Sequence, residues 1–216
     1  MNAFIFDLDG VIVDTAKYHY IAWREIGASF NFKLSESQNE NLKGISRADS
    51  LDLLLKWGET DLDADQKNEL LAQKNNHYLE LIQEMGKDEI LPGVLTILNF
   101  TQENKIPVAL GSASKNAQLI LEKLDLLPYF NSVVDGTHVK QSKPNPEVFL
   151  LGAQNLKTAA ESCVVFEDAS AGIAAAKSAG MTAIGVGDPE ELKDADYIFN
   201  SLEEINLTLL KKLAAI

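Results

Sequence analysis

The chain has 216 residues and a formal net charge of −13. This balance argues against nucleic acid or an anionic membrane as the main partner, because binding a phosphate backbone requires a basic face. The hydrophobic and charged fractions, 46% and 24%, are typical of a globular protein and argue against disorder.

The sequence carries no targeting signal that we recognise. It shows no basic, apolar leader and no apolar run long enough to span a bilayer. The single cysteine, Cys163, cannot form an internal disulfide, and its apolar neighbours predict a buried core thiol. We therefore expect a cytoplasmic protein that binds neither nucleic acid nor membrane, and we expect a monomer.

The first predicted element is a strand over residues 3–6, which are continuously apolar, as in a parallel strand buried on both faces. Asp7, Asp9 and Gly10 follow it. If the chain stays extended through Leu8, the two carboxylates point the same way and repel unless a cation or a shared proton relieves them. One acid could then attack an electrophile or bind a metal while the other transfers protons. Alternatively, both only stabilise a strand-to-helix turn.

Residues 14–90 show helical spacing of apolar side chains and no convincing strand. His19 and Trp23 lie one helical turn apart and could face the aspartate pair, although a solvent-facing histidine and a core tryptophan are alternatives. Lys74 falls within an apolar stripe, where it either snorkels to solvent or reaches a buried anion. We predict that 14–90 form a helical cap domain, inserted into a core domain made of 1–13 and 91–216.

A cationic tract lies within this helical block, at residues 43–47. Two cations flank a glycine there, and Ser46 is placed to cap a following helix. Free backbone N–H groups and positive charges would then converge on an anion. An ordinary charged surface loop is the alternative.

From residue 91 onward, strands and helices alternate, which predicts a doubly wound parallel sheet of the Rossmann-like α/β class. The predicted strands are 107–110, 132–134, 163–166 and 182–186, and helices are predicted to begin near 93, 115, 146, 169 and 201.

Polar motifs follow three of these strands. Ser112 and Ser114 precede a predicted helix, where hydroxyls and helix N-terminal amides could hold a phosphate or simply cap the helix. Lys143 could neutralise a bound phosphoryl group. Glu167 and Asp168 follow the strand predicted over 163–166 and offer the hard oxygen ligands that suit Mg²⁺.

Together with residues 7–15, these motifs resemble those of the haloacid dehalogenase-like superfamily, in their expected order along the chain. The 43–47 tract and the 112–116 loop are similar to those of the β-phosphoglucomutases within it. The resemblance implies that Asp7 is the phosphorylated nucleophile and Asp9 the general acid/base. It also implies a Mg²⁺ site formed by Asp7, the backbone carbonyl of Asp9, Glu167 and Asp168.

The same resemblance implies a sugar-phosphate site beneath the cap domain. Arg47 would hold the distal phosphate, and Ser112 and Lys143 the transferring phosphoryl group. The implied substrate-binding residues are Asp9, His19, Trp23, Lys43, Gly44, Ile45, Ser46, Arg47, Ser50, Lys74, Ser112, Ala113, Ser114, Lys115, Asn116 and Lys143.

The implied reaction interconverts β-D-glucose 1-phosphate and glucose 6-phosphate, with glucose 1,6-bisphosphate as the priming phosphoryl donor. A sugar-phosphate phosphatase of the same superfamily is the alternative, since only the phosphoryl acceptor differs. A non-catalytic sugar-phosphate sensor is disfavoured, because it would not need Asp7, Asp9, Lys143 and Asp168.

Overall fold

A computed structural model describes residues 2–216. In that part of the chain, six strands form one parallel sheet in the order β3-β2-β1-β4-β5-β6. The strands are β1 Ala3–Phe6, β2 Val108–Gly111, β3 Ser132–Val134, β4 Cys163–Glu167, β5 Thr182–Val186 and β6 Tyr197–Phe199. The α-helices are α1 Ala16–Ser29, α2 Glu36–Glu40, α3 Arg47–Trp57, α4 Ala64–Leu81, α5 Val94–Glu103, α6 Ala117–Lys123, α7 Glu147–Asn155, α8 Ser170–Ser178 and α9 Leu207–Ala214. The prediction of a doubly wound α/β fold is confirmed.

Both faces of the sheet are covered, as the apolar run of β1 predicts. Phe4 and Phe6 point to the face covered by α5, α6 and α9, and their rings pack against Phe166 of β4. Ala3 and Ile5 point to the opposite face, under α7 and α8. This alternation follows from the two-residue period of strand side chains. Every residue of β1 is buried.

Between β1 and α5 the chain forms helices α1–α4, which lie outside the sheet. We call residues 14–90 the helical insertion. It contains no strand, as predicted, and α1 packs against α4. Trp23, Leu34 and Leu54 belong to an apolar cluster contained within the helical insertion. Ile21 of α1, one of the apolar residues at helical spacing, is exposed instead. The exact division into core and cap domains stays a prediction.

The predicted boundaries fail near the C-terminus. Strand β6 was not predicted, because Tyr197–Phe199 is short and only half-buried at the sheet edge. The predicted start of the last helix, near residue 201, is wrong, because Leu202–Glu204 form a separate 3₁₀ turn. The side chain of Asn206 accepts a hydrogen bond from the Leu209 amide and begins α9 there.

The carboxyl ends of the central strands β1, β2 and β4 meet at one edge of the sheet. In open α/β sheets this edge, where the strand order reverses, is the place for ligands. The helical insertion leaves β1 at the same edge. None of the helices in residues 2–216 combines the length and the apolar character needed to cross a bilayer.

Candidate active site

A buried ion cluster lies where β1 and β4 end. The Asp7 amide donates to the carbonyl of Phe166, which joins the two strand ends. Lys143 Nζ donates to Asp7 Oδ1 at 2.6 Å and to Glu167 Oε2 at 2.8 Å. Burial alone would lower the pKa of Lys143, but the two carboxylates raise it above its usual value. Lys143 therefore stays charged beside Asp7.

Carboxylate oxygens of Asp7, Glu167 and Asp168 lie within 4.8 Å of one another. Burial, opposed by Lys143 and reinforced by Asp7, raises the pKa of Glu167 to about 8. Burial and the two neighbouring carboxylates also raise the pKa of Asp168 well above its usual value. The crowding of three acids, together with the raised pKa values of Glu167 and Asp168, favours a bound cation, and an all-oxygen donor set fits Mg²⁺. Asp9 contributes no carboxylate to this cluster.

Two glycines make room for the cluster. Gly10 has a φ of +76°, and a Cβ added to it would lie 2.0 Å from Asp168 Oδ2. A Cβ on Gly172 would lie 2.0 Å from Glu167 Cδ. Any side chain at either position would displace a carboxylate of the cluster.

Asp9 lies just beyond the strand, because β1 ends at Phe6 and the chain bends at Leu8, so the condition of an extended chain through Leu8 is not met. Its carboxylate nevertheless lines the same cleft as Asp7. Asp9 Oδ1 accepts a hydrogen bond from Thr15 Oγ1, and His19 Nε2 lies 3.8 Å away. Burial first, and then the charge of Asp7, raise the pKa of Asp9 to about 6, against the lowering effect of Thr15. A carboxyl group with such a pKa can both accept and donate a proton near neutral pH.

Lys74 does not snorkel: it is 2% exposed and its Nζ donates to His19 Nδ1 at 2.7 Å. Nζ also lies 5.0 Å from the ring centroid of Trp23 and 4.6 Å from that of Tyr78. Burial, and then the charge of Arg47, lower the pKa of Lys74 to about 7. Burial and the same two cations lower the pKa of His19 well below its usual value. The helical insertion therefore presents to the cleft two basic groups, His19 and Lys74, whose charged forms a bound anion would stabilise.

The loop after β2 is organised by serine hydroxyls. Ser112 Oγ accepts from the Ser114 amide, and Ser114 Oγ accepts from the Asn116 amide. Helix α6 begins at Ala117, so Ser114 is not its N-cap residue. Asn116 Nδ2 also donates to Asn75 Oδ1 at 3.0 Å, which connects this loop to α4.

The cationic tract is fixed by the start of α3. Ser46 is the N-cap residue, and its hydroxyl accepts from the Asp49 amide, as predicted. Asp49 Oδ2 also accepts from Ser142 Oγ at 2.5 Å, which connects α3 to the loop carrying Lys143. Arg47 is the first residue of the helix, and burial lowers its pKa.

These groups surround one cleft between the helical insertion and the sheet edge, with about 840 Å³ of empty space, part of it open to solvent. The residues predicted from sequence that line it are Asp7, Asp9, His19, Trp23, Lys43, Gly44, Ile45, Arg47, Ser50, Lys74, Ala113, Ser114, Lys115, Asn116 and Asp168. Ser46, Ser112, Lys143 and Glu167 do not line it. The last three are buried behind its wall, and Ser46 caps α3.

Sequence reasoning missed several polar partners of these residues. Thr15 belongs to the first motif but was given no role, although it binds Asp9. Asn75 and Asp49 connect the helical insertion to the core, and nothing in their local sequence marks them.

Known proteins resemble this chain over its whole length. Residues 1–180 match a family described as haloacid dehalogenase-like hydrolase. A beta-phosphoglucomutase of Bacillus subtilis is 41% identical over 212 residues, which cover 97% of this chain and 94% of that protein. A phosphorylated carbohydrates phosphatase of Thermotoga maritima is 32% identical over 221 residues, 99% of this chain and 100% of that protein. The crystal structure of a beta-phosphoglucomutase from Clostridium difficile has a TM-score of 0.96 at 40% identity, covering 100% of this chain and 97% of that one.

Proposed function

Because the chain belongs to the haloacid dehalogenase-like hydrolase family, we propose that it is a β-phosphoglucomutase. It interconverts β-D-glucose 1-phosphate and glucose 6-phosphate through β-glucose 1,6-bisphosphate. The observation that carries this proposal is a cleft with basic groups on both sides. On the core side Lys143 lies behind the wall, where it contacts Asp7, and on the insertion side Arg47 and Lys74 line the cleft. A substrate with two anionic ends requires both.

In this mechanism Asp7 carries the phosphoryl group as an acyl phosphate. Asp9 removes a proton from a hydroxyl of the bound hexose monophosphate while that oxygen forms a bond to phosphorus. The bond between phosphorus and the Asp7 oxygen breaks, and the negative charge returns to the Asp7 carboxylate. The sugar bisphosphate then turns end for end, and Asp7 accepts the other phosphoryl group while Asp9 returns the proton. Glucose 1,6-bisphosphate serves as the priming donor.

Three parts of the site support this sequence of steps. Lys143 stabilises negative charge on the phosphoryl oxygens and on Asp7. Arg47 holds the phosphate that is not being transferred, in both orientations of the sugar. Asp7, Glu167, Asp168 and the backbone carbonyl of Asp9 would hold Mg²⁺, which when bound neutralises the charge on the transferring phosphoryl group.

The helical insertion covers the cleft, and covering matters because water is the competing acceptor. A sugar-phosphate phosphatase is the second candidate function. It is supported by the similarity to the Thermotoga maritima relative, which is named as a phosphorylated carbohydrates phosphatase. The two functions need the same nucleophile and differ only in the acceptor of the phosphoryl group. A cytoplasmic location and a monomeric state remain predictions from the sequence.

A product assay separates the two candidates. The purified chain is incubated with Mg²⁺, β-glucose 1-phosphate and a trace of glucose 1,6-bisphosphate, while glucose 6-phosphate and inorganic phosphate are measured together. We expect glucose 6-phosphate to accumulate with little phosphate, and Asp7→Asn to form neither. Release of inorganic phosphate alone would overturn the mutase assignment in favour of the phosphatase.

A further inference from the structure

Helix α3 carries Arg47, but its apolar side packs within the helical insertion and not on the sheet. Its buried residues Leu51, Leu54 and Leu55 belong to a cluster whose members all come from residues 14–90. Ile82, near the other end of the insertion, belongs instead to the apolar core of the sheet. Apolar packing therefore fixes that end of the insertion on the sheet, and the position of α3 relative to the core depends on other contacts.

One polar contact joins the start of α3 to the core. Ser142 Oγ donates to Asp49 Oδ2 at 2.5 Å. Within residues 2–216, no other hydrogen bond or ion pair links α3 to a residue outside the helical insertion. Asp49 Oδ2 also accepts from the hydroxyl of Ser46, the N-cap residue, at 2.6 Å. The contact therefore acts on the first turn of α3, where Arg47 lies.

The loop that carries Ser142 is fixed from the core side. Glu147 Oε2 of α7 accepts from the amides of Lys140 and Gln141 at 3.0 and 2.9 Å. Ser142 follows directly, and Lys143 comes next in the chain. The hydroxyl that reaches α3 and the ammonium group beside the nucleophile are thus presented by the same anchored segment.

We propose that Ser142 is a positioning residue for the sugar phosphate: its hydrogen bond to Asp49 holds the start of α3 at a fixed distance from the loop of Lys143. Arg47 and Lys143 are thereby kept at one separation, at which they bind the two anionic ends of the sugar phosphate at once. The inference rests on the proposed function, because only a substrate with two anionic ends needs both groups at a fixed separation.

Ser142→Ala removes this hydrogen bond and leaves the N-cap of α3 in place. Asp7 is first phosphorylated with acetyl phosphate, which has no distal phosphate, so phosphorylation should proceed at the wild-type rate. The phosphoenzyme is then mixed with increasing concentrations of β-glucose 1-phosphate. We expect the half-saturating concentration to rise roughly fivefold, the effect of one net hydrogen bond on an equilibrium constant. The maximal rate of transfer should be almost unchanged, because saturating sugar restores the arrangement that binds it.

A double-mutant cycle tests the partner of Ser142. In an Asp49→Ala background, Ser142→Ala should not raise the half-saturating concentration further, because the hydrogen bond is already absent. Ser132→Ala removes a hydroxyl that accepts from Asn155 within the core and is the matched control, with wild-type saturation expected. Effects of the two substitutions that multiply, or wild-type saturation in Ser142→Ala, would overturn the inference. So would equal slowing of phosphorylation and transfer, since Ser142 would then act on the loop of Lys143 and not on α3.

The separation itself is measured without turnover. Spin labels are attached to cysteines that replace Lys56 of α3 and Gln154 of α7, both exposed, in a Cys163→Ala background. We expect a narrow distribution of label-to-label distances with Ser142 and a broader one in Ser142→Ala. An unchanged distribution would contradict the inference, whatever the acceptor of the phosphoryl group. If the wild-type phosphoenzyme passes its group only to water while Ser142→Ala still broadens the distribution, the mutase proposal fails and the hold of Ser142 on α3 is upheld.

Discussion

At the scale of single residues, the contact between Gly10 and Asp168 sets the shape of the proposed metal site. Gly10→Ala should weaken Mg²⁺ binding by roughly 10- to 100-fold, the usual loss when the support of a metal ligand is disturbed. The new Cβ would lie 2.0 Å from Asp168 Oδ2, so the Asp168 carboxylate would have to move. Calorimetric titration of the metal-free protein with Mg²⁺ measures the effect.

Gly180→Ala is the matched control for this change. Gly180 has a φ of +73°, close to that of Gly10, but a Cβ there would meet no atom within 4 Å. It therefore reports the backbone cost alone, about 1–2 kcal/mol. Wild-type Mg²⁺ affinity in Gly10→Ala would contradict the assignment of Asp168 to the metal.

Arg47 should act on the sugar and not on the nucleophile. Arg47→Ala is expected to lower mutase turnover by roughly 10- to 150-fold, because a hydrogen bond to a charged group contributes about 1.5–3 kcal/mol. Hydrolysis of acetyl phosphate, which has no distal phosphate, should be almost unchanged. Arg24→Ala, an exposed arginine of α1, serves as the control in both assays. Equal losses in the two reactions would contradict the role of Arg47 at the distal phosphate.

The predictable site residues are those whose chemistry is visible in a short stretch. Asp7 and Asp9 follow a strand, and Lys143 precedes a proline, so each could be assigned from its neighbours. Thr15 could not, because its hydrogen bond to Asp9 depends on how the loop after β1 folds.

At the scale of elements, the start of α3 positions Arg47. Ser46→Ala should lower the free energy of unfolding by about 1 kcal/mol, the usual cost of losing an N-cap. It should also lower mutase turnover, because Arg47 lies in the turn that would fray. Ser35→Ala removes the N-cap of α2 within the same helical insertion and should cost similar stability without loss of turnover. Urea unfolding and the product assay measure the two effects. If Ser46→Ala and Ser35→Ala have the same turnover, the N-cap of α3 does not position Arg47.

The sheet was largely predictable because its strands are buried on both faces. Strands β1, β4 and β5 are nearly uniform apolar runs, and α/β alternation fixes their parallel arrangement. Strand β6 could not be predicted, because an edge strand of three residues carries no apolar run of this kind. The start of α9 depends on the hydrogen bond of the Asn206 side chain, which the spacing of apolar residues does not show. The helix was therefore predicted to begin too early, near residue 201.

At the scale of the whole molecule, negative charge should make stability depend on Mg²⁺. The chain has a net charge of −13, and three of its carboxylates lie within 4.8 Å of one another. Mg²⁺ at about 100 times its Kd should add about 2.7 kcal/mol of stability, because it binds the folded state. Thermal unfolding at matched ionic strength, with K⁺ as the control, measures the rise in melting temperature.

Asp168→Asn sharpens this test, because it removes one of the repelling charges. Without Mg²⁺, the variant should melt at or above the wild-type temperature. With Mg²⁺, it should gain much less than wild type. A full Mg²⁺ response in Asp168→Asn would place the cation elsewhere on the acidic surface.

The nucleophile Asp7 is buried under the helical insertion, with Lys143 in contact with it and Arg47 lining the cleft. In the proposed function this arrangement serves to transfer a phosphoryl group from Asp7 to a sugar. The most direct test is a chase of isolated phosphoenzyme, labelled from radioactive glucose 1,6-bisphosphate, with β-glucose 1-phosphate or with buffer. We predict label on the peptide containing Asp7, none in Asp7→Asn, and passage of the label to sugar bisphosphate much faster than to inorganic phosphate. Absence of label on Asp7, or its release as inorganic phosphate at the same rate with and without the sugar, would contradict the account.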